Sequence, residues 1–343
     1  MVKVIIIDDS VFMRRVIRDI LTKNGIEVIA EGENGFVGLK YILELNPDVV
    51  LLDIEMPVLT GLDTLALIMK KKPTPVIMFS TLTKEGANVT MEALKLGAVD
   101  FLHKPNNSLE IHNIEEVLVE KINTAAKANI KKAQGSGRKK TLNSNTQNKL
   151  TLLGEVNKIC VIGCSTGGPK ALTNIFENLQ ELKEPILVVQ HMPAFFTKTL
   201  AKRLDDITPY LVKEGEDNEE IKKGVVYLAP GDYHMIVEEQ RGKFFLRLNK
   251  QPAIHGCRPA VDPLFKSVAP IFKDRVLGCI LTGMGKDGTE GCEAIKGYGG
   301  KVYVESEETC TIYGMPKQVV ERNLADKIVP INLFADEIRD FLK

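Results

Sequence analysis

The chain has 343 residues, more than one ordinary domain, and a 44% hydrophobic, 26% charged composition that suits two globular units rather than a disordered or fibrous chain. Its 45 basic and 45 acidic residues cancel, which argues against a polyanion partner for the whole chain. No apolar run approaches the roughly 20 residues of a membrane span, and the one at residues 4–7 is too short for a secretory signal.

In chain order, short apolar runs at residues 4–7, 28–30, 49–52, 76–79 and 99–102 read as buried parallel strands. Stretches of helical period separate and follow them at 12–21, 35–45, 61–69, 90–96 and 111–122. Five strands alternating with five helices predict a doubly wound α/β domain over residues 1–122, with ligands at the carboxyl ends of the strands. The charge balance then changes. Residues 1–120 carry 12 Lys/Arg and 18 Asp/Glu, whereas residues 121–150 carry 8 basic residues and no acid. Residues 123–152, rich in Lys, Asn, Ser and Gly, read as a solvated flexible linker with a reach of roughly 30 Å. Lacking aromatics and an amphipathic pattern, the basic run predicts no nucleic-acid or membrane partner.

A second α/β pattern fills residues 153–343. Strands are predicted at 159–163, 186–189, 224–228, 244–248, 276–281 and 301–304, and helices at 170–179, 195–205, 263–272, 288–298, 316–323 and 333–342. The six cysteines all lie in this half without C-x-x-C pairs, so reduced thiols of a cytoplasmic protein are expected rather than a zinc site.

In the first domain, Asp8 and Asp9 end the first strand, Asp53 the third and Ser80 the fourth, while Lys104 follows the fifth. A doubly wound sheet brings these ends into one cleft. Carboxylates gathered there repel one another unless a cation intervenes, and a hard ion with oxygen ligands such as Mg²⁺ answers that need. An aspartate beside a metal and a lysine is suited to accept a phosphoryl group. The segments VIIIDDS, DVVLLDIEMPVLTGLDTL, PVIMFST and GAVDFLHKP resemble the response-regulator receiver domain, which has a flavodoxin-like fold, along the whole first 120 residues. The resemblance implies that Asp53 is phosphorylated, that Asp8, Asp9, Asp53 and the Glu55 backbone carbonyl hold Mg²⁺, and that Lys104 contacts the phosphoryl group. It makes Ser80 and Phe101 the hydroxyl and aromatic switch positions, where many receivers carry Thr and Tyr.

In the second domain, GCSTG at residues 163–167 is a strand end, a tight turn and a helix start. A phosphate cradle lacks the P-loop Lys-Ser/Thr pair; the alternative is G-x-S-x-G, with Ser165 exposed on the turn as a nucleophile. Such a serine needs a base and a group to orient it. His191, at the end of the strand ILVVQ, competes for the base with His234 and His255; the first suits strand-end geometry best. Asp287, in LTGMGKDG, stands just beyond another strand. The segments GCSTGGPKAL, QHMP, LAPGDYHM, CRPAVDPLF, LTGMGKDGTEG and YGMPKQVVE are similar to the catalytic domain of the chemotaxis protein-glutamate methylesterase family, a Rossmann-like three-layer α/β fold with a mostly parallel sheet. The resemblance makes Ser165 the nucleophile, His191 the base and Asp287 its orienting acid. It implies a Met284 backbone N–H in the oxyanion hole and Thr166, His255 and Arg258 near the substrate. Cys164 stands where that family more often has alanine and reads as structural.

Joined, the two resemblances imply a hydrolase of glutamyl methyl esters on chemoreceptors that also deamidates receptor glutamines and needs no cofactor for the ester reaction. A histidine kinase is the implied phosphodonor, and the unphosphorylated receiver is expected to cover the catalytic cleft. A serine hydrolase for another acyl substrate and a non-catalytic adaptor are the alternatives.

Overall fold

A computed structural model describes residues 1–80, 83–105, 108–128, 130, 149 and 152–343. Most of the predicted linker therefore lies outside the described residues. The chain divides into two compact units, Met1–Gly135 and Ser136–Lys343, each with its own core.

The first unit runs β1 (Lys3–Ile7), α1 (Val11–Lys23), β2 (Glu27–Gly32), α2 (Gly35–Leu45), β3 (Val49–Asp53), α3 (Gly61–Lys71), β4 (Val76–Ser80), α4 (Lys84–Leu96), β5 (Asp100–His103) and α5 (Ser108–Ala125). All its strands pair in parallel in the order β2-β1-β3-β4-β5, which puts the crossover point between β1 and β3. Side-chain caps start four helices: Ser10, Asn34, Thr60 and Thr83 each accept an N–H of the first turn. The strands are apolar on both faces because helices cover both; α1 and α5 close one with Ile17, Leu21, Leu118 and Ile122.

The second unit contains β6 (Ile159–Cys164), α6 (Gly168–Asn178), β7 (Ile186–Gln190), α7 (Phe196–Ile207), β8 (Leu211–Glu214), β9 (Val225–Leu228), β10 (His234–Gln240) and β11 (Lys243–Asn249). It continues through α8 (Val261–Phe272), β12 (Val276–Ile280), α9 (Thr289–Gly297), β13 (Lys301–Glu305), α10 (Met315–Glu321), β14 (Lys327–Val329) and α11 (Phe334–Leu342). Seven strands form a wholly parallel sheet in the order β14-β13-β12-β6-β7-β9-β8. From β6 the chain adds β7, then the edge strand β8 and, between β7 and β8, β9; it returns to wind outward from β12 in the other direction. Its crossover point lies between β6 and β12.

The predicted strand at 244–248 does not join that sheet. It pairs with β10 as a separate antiparallel hairpin, closed by Arg241 and Gly242, both at positive φ (53° and 78°), the geometry of a two-residue type I′ turn. The hairpin packs on α8, whose Leu264, Phe265, Val268 and Phe272 are fully buried.

Gly61 starts α3 against the end of β3. A Cβ built there would stand 2.1 Å from the Asp53 carbonyl oxygen and 2.8 Å from the Ile54 Cα, and backbone atoms have little room to yield. Gly61→Ala should destabilise the first unit by roughly 1–3 kcal/mol, seen as a lower melting temperature for the hydrogen-exchange-protected amides of β3 with those of β12 unchanged.

Candidate active site

The register of three neighbouring strands sets the geometry of the candidate residues. Cys164 pairs with Gln190 across β6 and β7, and Gly163 with Ile280 across β6 and β12. The ladders continue past the strand ends: the His191 N–H donates to the Cys164 carbonyl (3.1 Å) and the Ser165 N–H to the Thr282 carbonyl (3.0 Å). Ser165 and His191 thus leave adjacent strands at the same height. Gly167, at φ 83°, turns the chain from β6 into α6, a conformation that a Cβ would strain.

Asp287 is 2% exposed, and every donor around it is accounted for. One oxygen accepts the His191 Nε2–H at 2.8 Å and the Val261 N–H at 2.6 Å; the other accepts the N–H groups of Asp262 at 3.0 Å and Gly288 at 2.9 Å. Two of these donors are the first residues of α8, so a helix N-terminus faces the carboxylate. Burial opposes the charge, but the His191 hydrogen bond and the backbone donors outweigh it and hold Asp287 below the usual carboxylate range. Burial likewise opposes charge on the His191 ring, whereas Asp287 and the neighbouring Cys257 thiol push its pKa upward. With Nε2 committed to Asp287, Nδ1 is the nitrogen left to take a proton.

The other two candidate bases stand elsewhere. His234 is buried, its Nδ1 accepting the Ala260 N–H (3.2 Å) and its other nitrogen donating to the Pro252 carbonyl (3.1 Å). Backbone groups satisfy both nitrogens, so His234 is a structural histidine. His255 is exposed at the tip of a tight turn bridging Ile254 and Cys257, with φ 50°. Arg258, two residues after Gly256, donates to Asp232 (2.6 Å and 3.1 Å) and to the carbonyls of Lys250 and Gln251, fixing the base of that loop. Thr166 is buried and its carbonyl accepts the Thr282 hydroxyl (2.9 Å). Met284, half-buried, follows Gly283 in the loop after β12. Cys164 is fully buried with its thiol on Gln190 Oε1 (3.1 Å), and burial pushes that thiol far above the ordinary range.

Several residues around the site do not stand out by type and spacing alone, although Gln190, Cys257 and Asp262 lie within the segments QHMP and CRPAVDPLF. Gln190 donates to the carbonyls of Ser165 (3.0 Å) and His191 (3.2 Å), tying the Ser165 turn to the His191 loop. Asp262 accepts the Gly291 N–H (2.7 Å) and so binds α8 to α9 behind Asp287. Cys257 adjoins the base, and Glu305 lies buried at the end of β13. A polar residue at a strand end was the available signal for Gln190 and Glu305, but many strand ends carry one.

In the first unit, Asp8, Asp9 and Asp53 bring carboxylate oxygens within 4.8 Å of one another. Asp8 and Asp53 are 1% and 2% exposed, and Lys104 Nζ lies 3.0 Å and 2.7 Å from them. Burial raises the Asp53 pKa to about 6, with Asp8 adding to the rise and Lys104 opposing it. Asp53 also accepts the Glu55 N–H at 3.1 Å. The buried Oδ2 atoms of Asp8 and Asp53 both turn to the one Lys104 ammonium and have no further hydrogen-bond partner among the described residues. An all-oxygen set of three carboxylates with a single compensating charge fits a hard divalent cation. Ser80 is buried, its hydroxyl accepting from Thr90 at 2.9 Å, and Phe101 is buried with Lys121 Nζ 6.0 Å from its ring centroid.

Residues 160–338 match the CheB methylesterase family and residues 4–115 match the response regulator receiver domain. The chain is 46% identical to a protein-glutamate methylesterase/protein-glutamine glutaminase of Thermotoga maritima over 96% of this chain and 95% of that one. A protein of the same name from Archaeoglobus fulgidus is 43% identical over 99% of this chain and 98% of its own length. The chain belongs to the protein-glutamate methylesterase/protein-glutamine glutaminase family. Its fold agrees: the crystal structure of the Thermotoga maritima CheB methylesterase catalytic domain aligns with a TM-score of 0.53 at 49% identity, covering 54% of this chain and 98% of that domain.

Asp262 offers a test of the electrostatics behind the site. Burial and the nearby Asp287 raise its pKa to about 6. Between its unfolded value near 4 and about 6, the native state binds more protons than the unfolded one, so stability falls as pH rises through that window. Asp262→Asn keeps an acceptor for Gly291 and removes this dependence. The α8 and α9 amides should gain roughly 1–3 kcal/mol of exchange protection at pH 7 and little at pH 4.

Proposed function

We propose that the chain hydrolyses glutamyl methyl esters of chemoreceptors, and deamidates receptor glutamines, with Ser165 as nucleophile, His191 as base and Asp287 as its orienting acid. The observation that carries this reading is the Asp287–His191 hydrogen bond, anchored by the α8 N-terminus and standing one strand away from the Ser165 turn. His191 Nδ1 takes the Ser165 hydroxyl proton as Oγ attacks the γ-carbonyl carbon. The carbonyl oxygen gains the negative charge, and the Met284 N–H is the donor assigned to it; one such donor is worth about 2.7–4 kcal/mol. When the tetrahedral species collapses, the ester C–O bond breaks and the imidazolium returns its proton to the departing methoxide, releasing methanol. Water then attacks the acyl-serine with His191 again taking a proton; the acyl–Oγ bond breaks, the proton returns to Ser165, and the receptor's glutamate side chain is released as a carboxylate. A glutamine substrate follows the same path with ammonia leaving. Because the base must be neutral to act and Asp287 favours its charged form, turnover rises with pH as the imidazolium deprotonates.

Ser165→Ala should reduce methanol release from methylated receptor to background. Asp287→Asn should lower kcat by about 10³–10⁴-fold and move the acid limb of the pH profile to lower pH, since the carboxylate no longer supports the imidazolium. Retained activity in Ser165→Ala overturns the reading.

Regulation belongs to the same proposal. Asp53 is the phosphoryl acceptor and Lys104 the cation that meets the transferred group, with a histidine kinase as donor. Asp8, Asp9, Asp53 and the Glu55 carbonyl would hold Mg²⁺, which supplies charge neutralisation during the transfer. A carboxylate with pKa about 6 is mostly ionised, hence nucleophilic, at neutral pH. Small acyl phosphates with Mg²⁺ should raise the esterase rate of the full chain, and chelation or Asp53→Asn should cancel that rise while leaving the basal rate. A rate indifferent to all three treatments removes the regulatory claim.

A further inference from the structure

We infer that Glu305 is a positioning residue for the esterase reaction, holding Thr282 and through it both the Ser165 turn and the loop that carries Met284. The inference rests on the serine-nucleophile reading above and adds a residue to it.

Glu305 is 1% exposed at the end of β13, two strands from β6. An ionisable side chain so deeply buried is costly to keep unless it answers a specific need. Its Oε2 accepts the Thr282 N–H at 2.8 Å, and its Oε1 accepts the Thr309 hydroxyl at 3.0 Å. Thr282 is itself 1% exposed and sits directly beyond β12 and Leu281. Its carbonyl receives the Ser165 N–H at 3.0 Å, and its hydroxyl donates to the Thr166 carbonyl at 2.9 Å while accepting the Ile312 N–H at 2.9 Å. One residue further on, Gly283 exchanges backbone hydrogen bonds with Ile312, Gly314 and Met315. A Cβ on Gly283 would stand 2.9 Å from the Ser165 Cβ and 2.5 Å from the Met315 sulfur, so this loop touches the nucleophile and has no slack.

One carboxylate therefore anchors the residue on which three chain segments meet: the nucleophile turn, the loop after β12 and the segment before α10. Thr282 N–H faces inward, and with Glu305 removed it loses the acceptor it uses here. A buried donor in that position draws the turn toward another acceptor, and the displacement falls on Ser165 and Met284. Burial pushes the Glu305 pKa up to about 7, and Cys164 and Cys310 are the titratable groups beside it. Both protonation states can keep the Thr282 bond, because an acid proton on Oε1 can be donated to Thr309 Oγ1, whose own hydrogen has the Ser306 carbonyl as a further acceptor at 3.4 Å. Glutamine, which retains a carbonyl oxygen for Thr282, is accordingly the conservative replacement.

The experiment measures kcat and KM for methanol release by the full chain, with Ser165→Ala run in parallel. Glu305→Leu should lower kcat by about 10- to 100-fold with KM within twofold. Glu305→Gln should restore kcat to within about threefold of the parent. Thr282→Val keeps the backbone bond to Glu305 and deletes the link to Thr166; it should lose kcat with KM unchanged and serves if Glu305→Leu does not fold. Thr309→Val, which removes the outer donor to Glu305 and the acceptor of the Ile331 N–H but leaves the Thr282 bond, should remain near the parent in kcat. If Ser165→Ala is inactive while Glu305→Leu turns over normally, this inference fails and the nucleophile reading stands. Equal impairment of the Leu and Gln variants also overturns it, since an acceptor for Thr282 is then not what the position supplies. Activity in Ser165→Ala removes both.

Discussion

The hydrogen bond from the Ser165 N–H to the Thr282 carbonyl carries the β6–β12 ladder one step beyond both strands, and the bond from the His191 N–H to the Cys164 carbonyl does the same between β6 and β7. The candidate site residues of the second unit are arranged around this shared height. Parallel strands buried on both faces are apolar along their length, so their carboxyl ends are the first positions where hydrophilic side chains can stand. The chain reverses its winding between β6 and β12, which parts the crossover loops there and opens a crevice. A register slip of one residue would turn Cys164 toward the crevice and bury Ser165. The in-register ends of three strands thus determine which residues can meet, whatever their separation in sequence.

The two units bury carboxylates at such ends and stabilise them differently. In the first unit, Asp8 and Asp53 share the Lys104 ammonium, a compact charge that cannot satisfy both fully, and Asp53 stays above the usual carboxylate range. Residual repulsion of that kind makes a cation welcome. In the second unit, backbone N–H groups, two of them from the α8 N-terminus, and the His191 ring keep Asp287 ionised. Fixed backbone dipoles do not exchange partners as a mobile ion does. That difference suits an anion whose work is to hold a ring in one orientation.

Much of this was legible in the sequence, because both domains are built from parallel strands that read as uninterrupted apolar runs. Residues 35–45 form α2 over the predicted range, and most other elements differ only by a turn or less at their ends. The strands that escaped notice lack such runs. β8 has one buried residue in four, β14 one in three, and β10 fades from HMIV into an exposed acidic tail. For the site, residues within glycine-rich or proline-flanked loops stood out, which is why Ser165, His191 and Asp287 could be picked. Elimination between His191 and His234 needed coordinates, since only those reveal that backbone groups occupy both His234 nitrogens. Gln190, Asp262 and Glu305 act through main-chain groups of distant segments, and such contacts leave no periodicity or spacing to read.

The resting arrangement of His191 follows from the same economy of partners. Its ring hydrogen bond runs to Asp287, and the Cys257 thiol lies beside it. An imidazole has two nitrogens, and Asp287 fixes one of them. In the proposed mechanism the other is the one that must meet the Ser165 hydroxyl before proton transfer begins. A neighbouring thiol is a weak competitor for it, since even an ordinary neutral hydrogen bond contributes only about 1 kcal/mol net. The turn that carries Cys257 is short and closed by backbone bonds to Ile254, and Arg258 pins its base to Asp232. Cys257 is thus a firmly held neighbour of the ring that leaves its second nitrogen to the reaction. On the proposed mechanism the Ser165–His191 contact tightens when an acyl group is bound, as catalytic hydrogen bonds often do.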